Sequence, residues 1–318
     1  MQQMISLAST KEQLPVIVIL GPTASGKSDF ALALAKKIGA EIISADSRQI
    51  YRELDIGTAK PLPEALREVP HHFVNEKNIG EHFTAGDFSI EAVKRIHNIH
   101  QQGKRAIIAG GSTLYLEGIL KGFAELPPAH PEIRERLLLE LETIGKEQMF
   151  EKLLQKDPEQ AATLDPTKTQ RLVRSLEIIE ITGMSVTELQ AKHKHRESPL
   201  RFLTIGLSIP RDILYQHINQ RTERMIETGL CLEAEMLYHK YHELLADKTI
   251  SALQSVGYQE LFRYFNQTIN LDQAITLIKQ HSRNYAKRQL TFFNNRLTVD
   301  WVKADILWDN LENPEFWN

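Results

Sequence analysis

Cysteine is almost absent from this chain of 318 residues, in which Cys231 is the single example. One thiol excludes a disulfide framework and a zinc site built on cysteines, and such a composition is typical of proteins in a reducing cytoplasm. Because leucines flank Cys231 on both sides, we expect this thiol to pack as a small hydrophobic side chain and not to act as a nucleophile.

Long hydrophobic runs are missing too. No segment approaches the ~20 apolar residues that are needed to span a bilayer, and residues 1–13 lack the basic and then apolar order of a secretory signal. We therefore expect no membrane contact and a cytoplasmic location. The 12 histidines show no spacing that is typical of a metal site.

A large excess of charge is also missing, since the formal net charge is −3. The balance hides a local asymmetry, because residues 279–296 contain five Lys or Arg side chains and no Asp or Glu. Lys279, Arg283 and Lys287 are spaced four residues apart and form one face of a predicted helix without acidic partners, here called the basic stripe. Like charges on one helix face repel each other, so a phosphate partner such as an RNA backbone is the better explanation.

The most informative segment that is present is residues 21–28, whose sequence GPTASGKS matches the pattern G-x-x-x-x-G-K-[ST]. A β-branched run precedes it and an Ala/Leu-rich helix follows it, which is the setting that this phosphate-binding pattern requires. Loop amides, the helix dipole and the Lys27 amine would bind a di- or triphosphate, and the Ser28 hydroxyl would bind Mg²⁺. The residues assigned to the phosphate are Gly21, Pro22, Thr23, Ala24, Ser25, Gly26, Lys27 and Ser28.

Short β-like runs alternate with helical stretches in the first 125 residues. This alternation predicts an α/β fold of the P-loop type, in which a parallel sheet has helices on both faces. The proline-rich segment 126–131 interrupts the pattern, and only helical periodicity follows it up to about residue 200. We therefore predict a catalytic core formed by residues 12–125 and 201–318, with an all-helical insertion domain at residues 126–200.

The individual elements follow from periodicity and from turn residues. The predicted strands are residues 16–20, 41–44, 105–109, 201–209 and 297–302. The predicted helices are residues 28–38, 86–102, 114–120, 132–144, 146–155, 159–164, 169–181, 212–229, 231–241, 258–266 and 271–294.

Polar residues follow three predicted strands at the point where each strand ends, and a parallel sheet brings such ends to one edge. Asp46 follows the second strand, where its carboxylate could accept a proton, bind magnesium or orient a hydroxyl; a helix cap is the alternative. Ser47, Arg48 and Gln49 add hydrogen-bonding groups beside it. Ser112 follows the third strand and would either contact substrate or cap a helix.

Two further sets of residues have a functional and a structural interpretation. Arg171 and Arg174 lie on one face of a helix in the predicted insertion, either as an RNA contact or as a solvated face. Gln289, Phe292 and Phe293 lie beside the basic stripe, where they would contact RNA bases. The alternative for the two phenylalanines is a place in the hydrophobic core.

Seven sequence segments occur in an order that is known from one enzyme family. They are GPTASGKS at 21–28, SADSRQIY at 44–51, DIGTAKP at 55–61, GGSTLY at 110–115, QRLVR at 170–174, VGY at 256–258 and AKRQLT at 286–291. Together they cover nearly the whole chain, and in this order they resemble the tRNA dimethylallyltransferase (tRNA isopentenyltransferase) family. One such match would be weak, whereas seven in register are specific.

The resemblance implies a prenyl transfer. Dimethylallyl diphosphate would place its diphosphate on the loop with magnesium, and the N6 atom of adenosine 37, beside the tRNA anticodon, would attack the allylic carbon. The resemblance implies two catalytic residues: Asp46 would act as the base, and Ser112, at a position where the family usually has threonine, would contact substrate. Arg221 stands where the family has an arginine that is suited to the diphosphate. The target base must leave the anticodon stack to reach the site.

The resemblance also places tRNA contacts on both predicted domains, so that the insertion becomes a tRNA-binding domain. Gln259 and Asn294 stand where many relatives have a basic residue, and Phe292 and Phe293 replace a pair that contains tryptophan. Together with the basic stripe, the assigned tRNA-binding residues are Asp46, Ser47, Arg48, Gln49, Ser112, Arg134, Gln170, Arg171, Leu172, Val173, Arg174, Gln254, Gly257, Tyr258, Lys279, Arg283, Lys287, Arg288 and Gln289.

Two other functions fit parts of the pattern. A small-molecule or nucleoside kinase has the same phosphate loop, an Asp-Ser-Arg segment after the second strand and arginines on a helical lid. An ATP-driven nucleic-acid remodeller would need a second acidic motif at a strand end, and no clear one is found. Because a small-molecule kinase has no need of the basic stripe, we prefer tRNA prenylation. Related enzymes suggest that the protein is a monomer.

Overall fold

A six-stranded parallel sheet forms the centre of the larger of two structural units. The computed structural model describes residues 15–124, 126–192, 200–245 and 250–317. Described residues up to Leu120 and from Leu200 onward form the larger unit, and residues from Lys121 to Lys192 form the smaller one. The strands are β1 Val16–Leu20, β2 Ala40–Ala45, β3 His71–His72, β4 Arg105–Gly110, β5 Phe202–Ser208 and β6 Asp300–Lys303, in the spatial order β3-β2-β4-β1-β5-β6.

Helices make up most of the remaining structure. They are α1 Lys27–Ile38, α2 Pro63–Glu68, α3 Ala85–Gln101, α4 Thr113–Lys121, α5 Pro131–Lys156, α6 Pro158–Thr163, α7 Thr169–Thr182, α8 Val186–Lys192, α9 Arg211–Glu227, α10 Leu230–Lys240, α11 Tyr258–Phe265, α12 Leu271–Arg296 and α13 Ala304–Asp309. Within the described ranges, no helix is both long and apolar enough to cross a membrane.

The central strand β1 shows why the sheet needs helices on both faces. Its neighbours are β4 and β5, and all of its residues are completely buried. Alternate residues of a strand point to opposite faces: Val16, Val18 and Leu20 pack in one hydrophobic cluster, and Ile17 and Ile19 pack in another. A strand that is covered on both faces is apolar throughout. The predicted α/β fold with a parallel sheet and helices on both faces is confirmed.

The smaller unit is entirely helical in its described residues and contains α5 to α8. Its core includes Leu137 and Met149 of α5 together with Leu172 and Leu176 of α7. The helix α5 is interrupted at Gly145, which has a φ of 83°. This interruption confirms the prediction of two helical segments that meet near residue 145, since a positive φ is tolerated best by glycine.

Several short elements were not predicted. The helices α2, α8 and α13 and the strand β3 contain seven residues or fewer, which is too short to show a clear period. In addition, α12 continues to Arg296, and β6 begins at Asp300 and not at residue 297. The predicted linker 193–199 lies outside the described residues.

The carboxyl ends of β1, β2 and β4 lie next to each other because these three strands are neighbours in the sheet. Residues 21–28 follow β1, Asp46 follows β2 and Gly111 follows β4. The backbone N–H of Ser112 donates a 3.0 Å hydrogen bond to the carbonyl of Ala45, which ties two of the strand ends together. The sequence-based placement of these segments at one edge of the sheet is confirmed.

Gly57 lies in the loop between β2 and α2 and has no room for a side chain. A Cβ atom there would lie 2.4 Å from the Cζ atom of Tyr258, which is completely buried. We expect Gly57→Ala to lower the free energy of unfolding by about 1–3 kcal/mol, because the ring must move within a packed core. Urea denaturation measures this change.

Gly86→Ala is the matched control, because a Cβ at Gly86 meets only the Thr84 hydroxyl, at 3.5 Å. Its stability should stay the same or rise slightly, since alanine favours a helix. Equal stabilities of the two variants would contradict the steric explanation for Gly57.

Candidate active site

Residues 21–28 form a loop that connects β1 to α1. Ala24 and Gly26 have φ angles of 63° and 81°, and the left-handed residue Gly26 immediately precedes α1. The Ser25 hydroxyl is buried and has no hydrogen-bond partner among the described residues. A buried hydroxyl without a partner is costly, so the loop is suited to a ligand that carries hydrogen-bond acceptors, such as a phosphate.

Gln289 of α12 holds this loop in place. Its side chain accepts a 2.8 Å hydrogen bond from the Thr23 N–H and donates a 2.7 Å bond to the Gly111 carbonyl. Gln289 was predicted to lie at the RNA surface; it is instead only 2% exposed. The correction follows from its two bonds, which use both polar atoms of the amide to join the segments after β1 and β4.

Two positively charged side chains lie at the loop. The Lys27 amine donates to the Pro22 carbonyl, and the Arg221 guanidinium of α9 donates to the Thr23 hydroxyl, each at 3.1 Å. Burial, and then the charge of Arg221, lower the pKa of Lys27 to about 8, although Asp46 acts in the opposite direction. Burial lowers the pKa of Arg221 as well. An anion bound between these cations would raise both pKa values again, because a negative charge favours the protonated forms.

Asp46 caps the turn that follows β2. Its Oδ1 atom accepts hydrogen bonds from the backbone N–H groups of Arg48 and Gln49, at 2.8 and 3.3 Å. The Oδ2 atom makes no hydrogen bond with the described residues, so a second role is compatible with the capping role. The alternative of a helix cap is wrong, because a turn and not a helix follows Asp46; the chemical role stays a prediction.

Ser112 supports this turn. Its hydroxyl accepts a 2.8 Å hydrogen bond from the Ser47 N–H, and it is only 8% exposed. It lines neither of the two cavities described below. The side chain of Ser112 therefore holds the segments after β2 and β4 together, and its contact with substrate stays a prediction.

Two adjacent cavities open at this edge of the sheet. The loop cavity, of about 760 Å³, is lined by the phosphate loop, by Ser28 and by residues of α9. The rim cavity, of about 460 Å³, is lined by Ser47, Arg48 and parts of α9, α11 and α12. The residues that line both cavities, here called the boundary residues, are Thr23, Ala24, Asp46, Thr58, Arg221 and Tyr285.

The two cavities differ in their walls. Arg224, His217 and Gln220 join Arg221 on the wall of the loop cavity. None of these three was predicted, although Arg224 lies one helical turn after Arg221. The rim cavity has an apolar wall and also contains Gln254, Gly257 and Arg288 of the predicted RNA contacts. The apolar residues of this wall are Ile218, Met225, Leu230, Val256 and Ile278.

Glu233 of α10 was also missed, and it fixes a loop that borders both cavities. Its carboxylate accepts hydrogen bonds of 3.1, 2.8 and 3.0 Å from the backbone N–H groups of Asp55, Ile56 and Gly57. It also accepts a 2.6 Å bond from the Tyr258 hydroxyl. Tyr258 is completely buried and belongs to the core, which corrects its prediction as a tRNA contact.

The basic stripe is only partly free of acidic partners. Lys279 forms a 2.6 Å ion pair with Glu223 of α9, so the expected absence of acidic partners is wrong at this position. Arg283 donates a 2.7 Å hydrogen bond to Asn219. Lys287 is exposed and has no ion pair with any described residue. The ion pair of Lys279 could not be predicted from the sequence pattern, because Glu223 lies on another helix.

The side chains beside the stripe divide between surface and core. Arg288 is exposed, and it too forms no ion pair within the described ranges. Phe293 is completely buried and Phe292 is half-buried against the same cluster. The core alternative for the two phenylalanines is therefore the one that the structure favours.

In the smaller unit, a buried carboxylate organises the predicted RNA-binding arginines. Glu177 is 0% exposed and pairs with Arg134 at 3.1 Å and with Arg174 at 2.8 Å. Leu172 and Val173, predicted as tRNA contacts, are only 1% and 2% exposed and belong to the helical core, which is a correction. The remaining residues of this segment are exposed; they are Gln170 and Arg171.

The loop cavity has the donor set for magnesium that arrives with a phosphate. Mg²⁺ commonly binds one or two protein oxygens and completes its shell with phosphate oxygens and water. Ser28 is exposed and lines this cavity together with Asp46. In the described part of the chain, no group of three or more His, Cys, Asp or Glu side chains could hold a metal by itself.

Comparison with known proteins places the chain in a family. The family model described as IPP transferase matches residues 49–296. The chain belongs to the IPP transferase family. It is 67% identical over 297 residues to a tRNA dimethylallyltransferase of Pelodictyon phaeoclathratiforme, covering 93% of each chain. It is also 60% identical over 302 residues to a tRNA dimethylallyltransferase of Chlorobium chlorochromatii, covering 95% of this chain and 97% of the relative.

Two solved structures agree with the fold. A tRNA isopentenylpyrophosphate transferase of Bacillus halodurans has a TM-score of 0.68 and 34% identity, with 95% of this chain and 96% of that chain covered. A eukaryotic dimethylallyltransferase acting on tRNA has a TM-score of 0.77 and 27% identity, with 95% of this chain and 77% of that chain covered. The family resemblance inferred from the motifs is confirmed.

The lowered pKa of Lys27, about 8, predicts a proton that is taken up when an anion binds. Below pH 7 the amine is already protonated, and above pH 8 binding must add a proton. We expect the Lys27 amine to take up about half a proton per site when inorganic diphosphate binds at pH 8. Relative to Lys27→Met, the affinity of the native protein should therefore fall as the pH rises through 8.

Calorimetric titrations in buffers of different ionisation enthalpy measure this uptake. Subtracting the uptake measured with Lys27→Met removes the contribution of diphosphate's own titration, because that contribution is the same for both proteins. Equal proton uptake by the two proteins at pH 8 would mean that the amine is already fully charged in the free site.

Proposed function

We propose that this chain transfers a dimethylallyl group from dimethylallyl diphosphate to N6 of adenosine 37, next to the anticodon of tRNA, and releases diphosphate. The observation that carries this proposal is the meeting of the two cavities at Asp46 and Arg221. One cavity contains the phosphate loop and its cations, and the other combines an apolar wall with predicted RNA contacts. Membership of the IPP transferase family supports the same reaction.

The loop cavity supplies the groups that stabilise a departing diphosphate. As the bond between the allylic carbon and oxygen breaks, negative charge accumulates on the leaving group. Lys27, Arg221 and Arg224 line this cavity, and the Ser25 hydroxyl has no other partner. Charges and donors that are in place before the reaction lower its barrier most, because they need no reorganisation.

Ser28 would hold Mg²⁺ together with the diphosphate oxygens. Its hydroxyl lines the loop cavity, and hydroxyl and phosphate oxygens are ligands that this ion prefers. When bound, the ion would neutralise charge on the leaving group.

Asp46 would accept the proton of the attacking amine. An exocyclic adenine amine is a poor nucleophile, and its N6 atom gains positive charge as the new N–C bond forms, so a carboxylate beside it promotes attack. The Oδ1 atom of Asp46 is already bonded to the turn, which leaves Oδ2 for the substrate. The base must be extruded from the anticodon stack to enter the rim cavity.

The exposed end of the basic stripe would bind the tRNA backbone. Lys287 and Arg288 are exposed near the rim cavity, of which Arg288 is a lining residue. In the smaller unit, Arg171 is exposed and would make a further phosphate contact. We also propose a monomer as the active form and a cytoplasmic location, for which a composition with a single cysteine is typical.

Label transfer tests this function together with the role of Asp46. The native protein should move labelled dimethylallyl from its diphosphate to unmodified tRNA and release one diphosphate for each label. Asp46→Asn should lower kcat by about 10²–10⁴-fold, because the amide preserves an oxygen for the turn but takes no proton. Its tRNA affinity and stability should match those of the native protein.

Three results would contradict these assignments. An unlabelled tRNA, with transfer of the γ-phosphate of ATP to a small molecule, would make the protein a kinase. An active Asp46→Asn variant would remove Asp46 from the role of base. Weak tRNA binding by the same variant would give Asp46 a binding role in place of a catalytic one.

The basic stripe predicts unequal contributions to tRNA affinity. Lys287→Ala and Arg288→Ala should each weaken binding and lower the salt dependence by about one released counterion. Lys279→Ala is the matched control and should have a smaller effect, because Glu223 already neutralises Lys279. Affinity measured across a salt series distinguishes the variants. An equal effect at all three positions would mean that the ion pair opens on tRNA binding.

A further inference from the structure

The boundary between the two cavities contains one aromatic ring whose role is unassigned. In the proposed function, on which this inference rests, the diphosphate lies in the loop cavity and the accepting amine in the rim cavity. The carbon that is transferred must therefore pass the boundary residues. Within the described ranges, Tyr285 is the one Phe, Tyr or Trp side chain that lines either cavity, and it lines both.

The chemistry of the step makes an aromatic ring useful at this place. The carbon–oxygen bond of the donor breaks with both electrons on diphosphate, the N6–carbon bond forms, and the N6 proton goes to Asp46. Positive charge therefore spreads over the allylic group in the transition state. The other boundary side chains do not stabilise it well: Arg221 is a cation, Asp46 is engaged with the amine, and the rest are hydroxyls or a methyl group.

The geometry points to Tyr285 as a catalytic residue whose ring face stabilises the positive charge that develops on the allylic group. Aromatic rings attract cations through their quadrupole, most strongly where water is excluded. The ring neither donates nor accepts electrons or protons in the step, so the balance of the reaction is unchanged.

The position of Tyr285 on α12 is set by residues on either side of it. Ile278, His281 and Ser282 precede it on the wall of the rim cavity. One helical turn after it, Gln289 lines the loop cavity and is bonded to Thr23 and Gly111. Tyr285 therefore lies where α12 passes from one cavity to the other, and its backbone is anchored to the phosphate loop through Gln289.

The ring is accessible and remains neutral. Tyr285 is 36% exposed, and the Cζ atom of Arg288 lies over its ring, 5.8 Å from the ring centroid. This distance is near the outer limit of a cation–π contact, so the ring is not closely covered. Burial of the hydroxyl, and then the charge of Asp46, raise the pKa of Tyr285 to about 12.

A series of isosteric rings separates the electronic role from shape. The experiment uses the full chain with Tyr285 replaced in turn by Phe, 4-fluorophenylalanine, 3,4,5-trifluorophenylalanine and Leu, and single-turnover label transfer to tRNA is measured. The Phe variant should stay within about threefold of the native rate. Each added fluorine should lower the rate further, and Leu should lower it by between about twofold and thirtyfold relative to Phe.

Inorganic diphosphate affinity and tRNA affinity should be the same across this series. As a matched control, the same fluorinated residues replace Phe292 on the same helix, which lines neither cavity, and the transfer rate should then stay constant.

The outcomes are distinct from those that test the function itself. If the native protein does not label tRNA, the proposed function fails. If it labels tRNA and the fluorinated variants all react at the rate of the Phe variant, the ring is a spacer and this inference is overturned. A Phe variant as slow as the Leu variant would overturn it too, because the hydroxyl would then carry the effect.

Discussion

Two positive charges held against one loop are the constraint on which the rest of the site depends. Lys27 and Arg221 both bond to residues of the phosphate loop. Burial lowers the pKa of both side chains, and the charge of Arg221 lowers the pKa of Lys27 further. Asp46 offsets only part of this cost. A multiply charged anion between the two cations would offset this cost and join the same residues in one network. The proposed donor carries such an anion.

Much of the fold and the location of the site follow from local sequence. The run Val16–Leu20 is apolar because both of its faces are covered, and the glycines around Ser25 permit the loop that follows. The order of the sheet then brings Asp46 beside this loop. The strand, the loop and the position of Asp46 at a strand end are each encoded within a few residues, so periodicity and motif spacing predict them.

The remaining features depend on residues that are far apart in the sequence. Gln289 reaches Thr23 across 266 positions, and nothing in a helix that is rich in Lys and Arg predicts that its amide lies inside. The same is true of Glu233, which bonds the loop at Gly57, and of Glu223, which neutralises Lys279. Short-range patterns show which residue types are present but not which partners the tertiary fold supplies.

The bond between Gln289 and Thr23 has a consequence for how the protein is made. The phosphate loop leaves the ribosome well before the residue that braces it, since Gln289 lies 266 positions after Thr23. A nascent chain can form the early strands and helices as they emerge, since domains fold progressively during translation. It cannot complete the pocket until α12 has been synthesised. Chains that end before α12 therefore lack the bond that braces the loop.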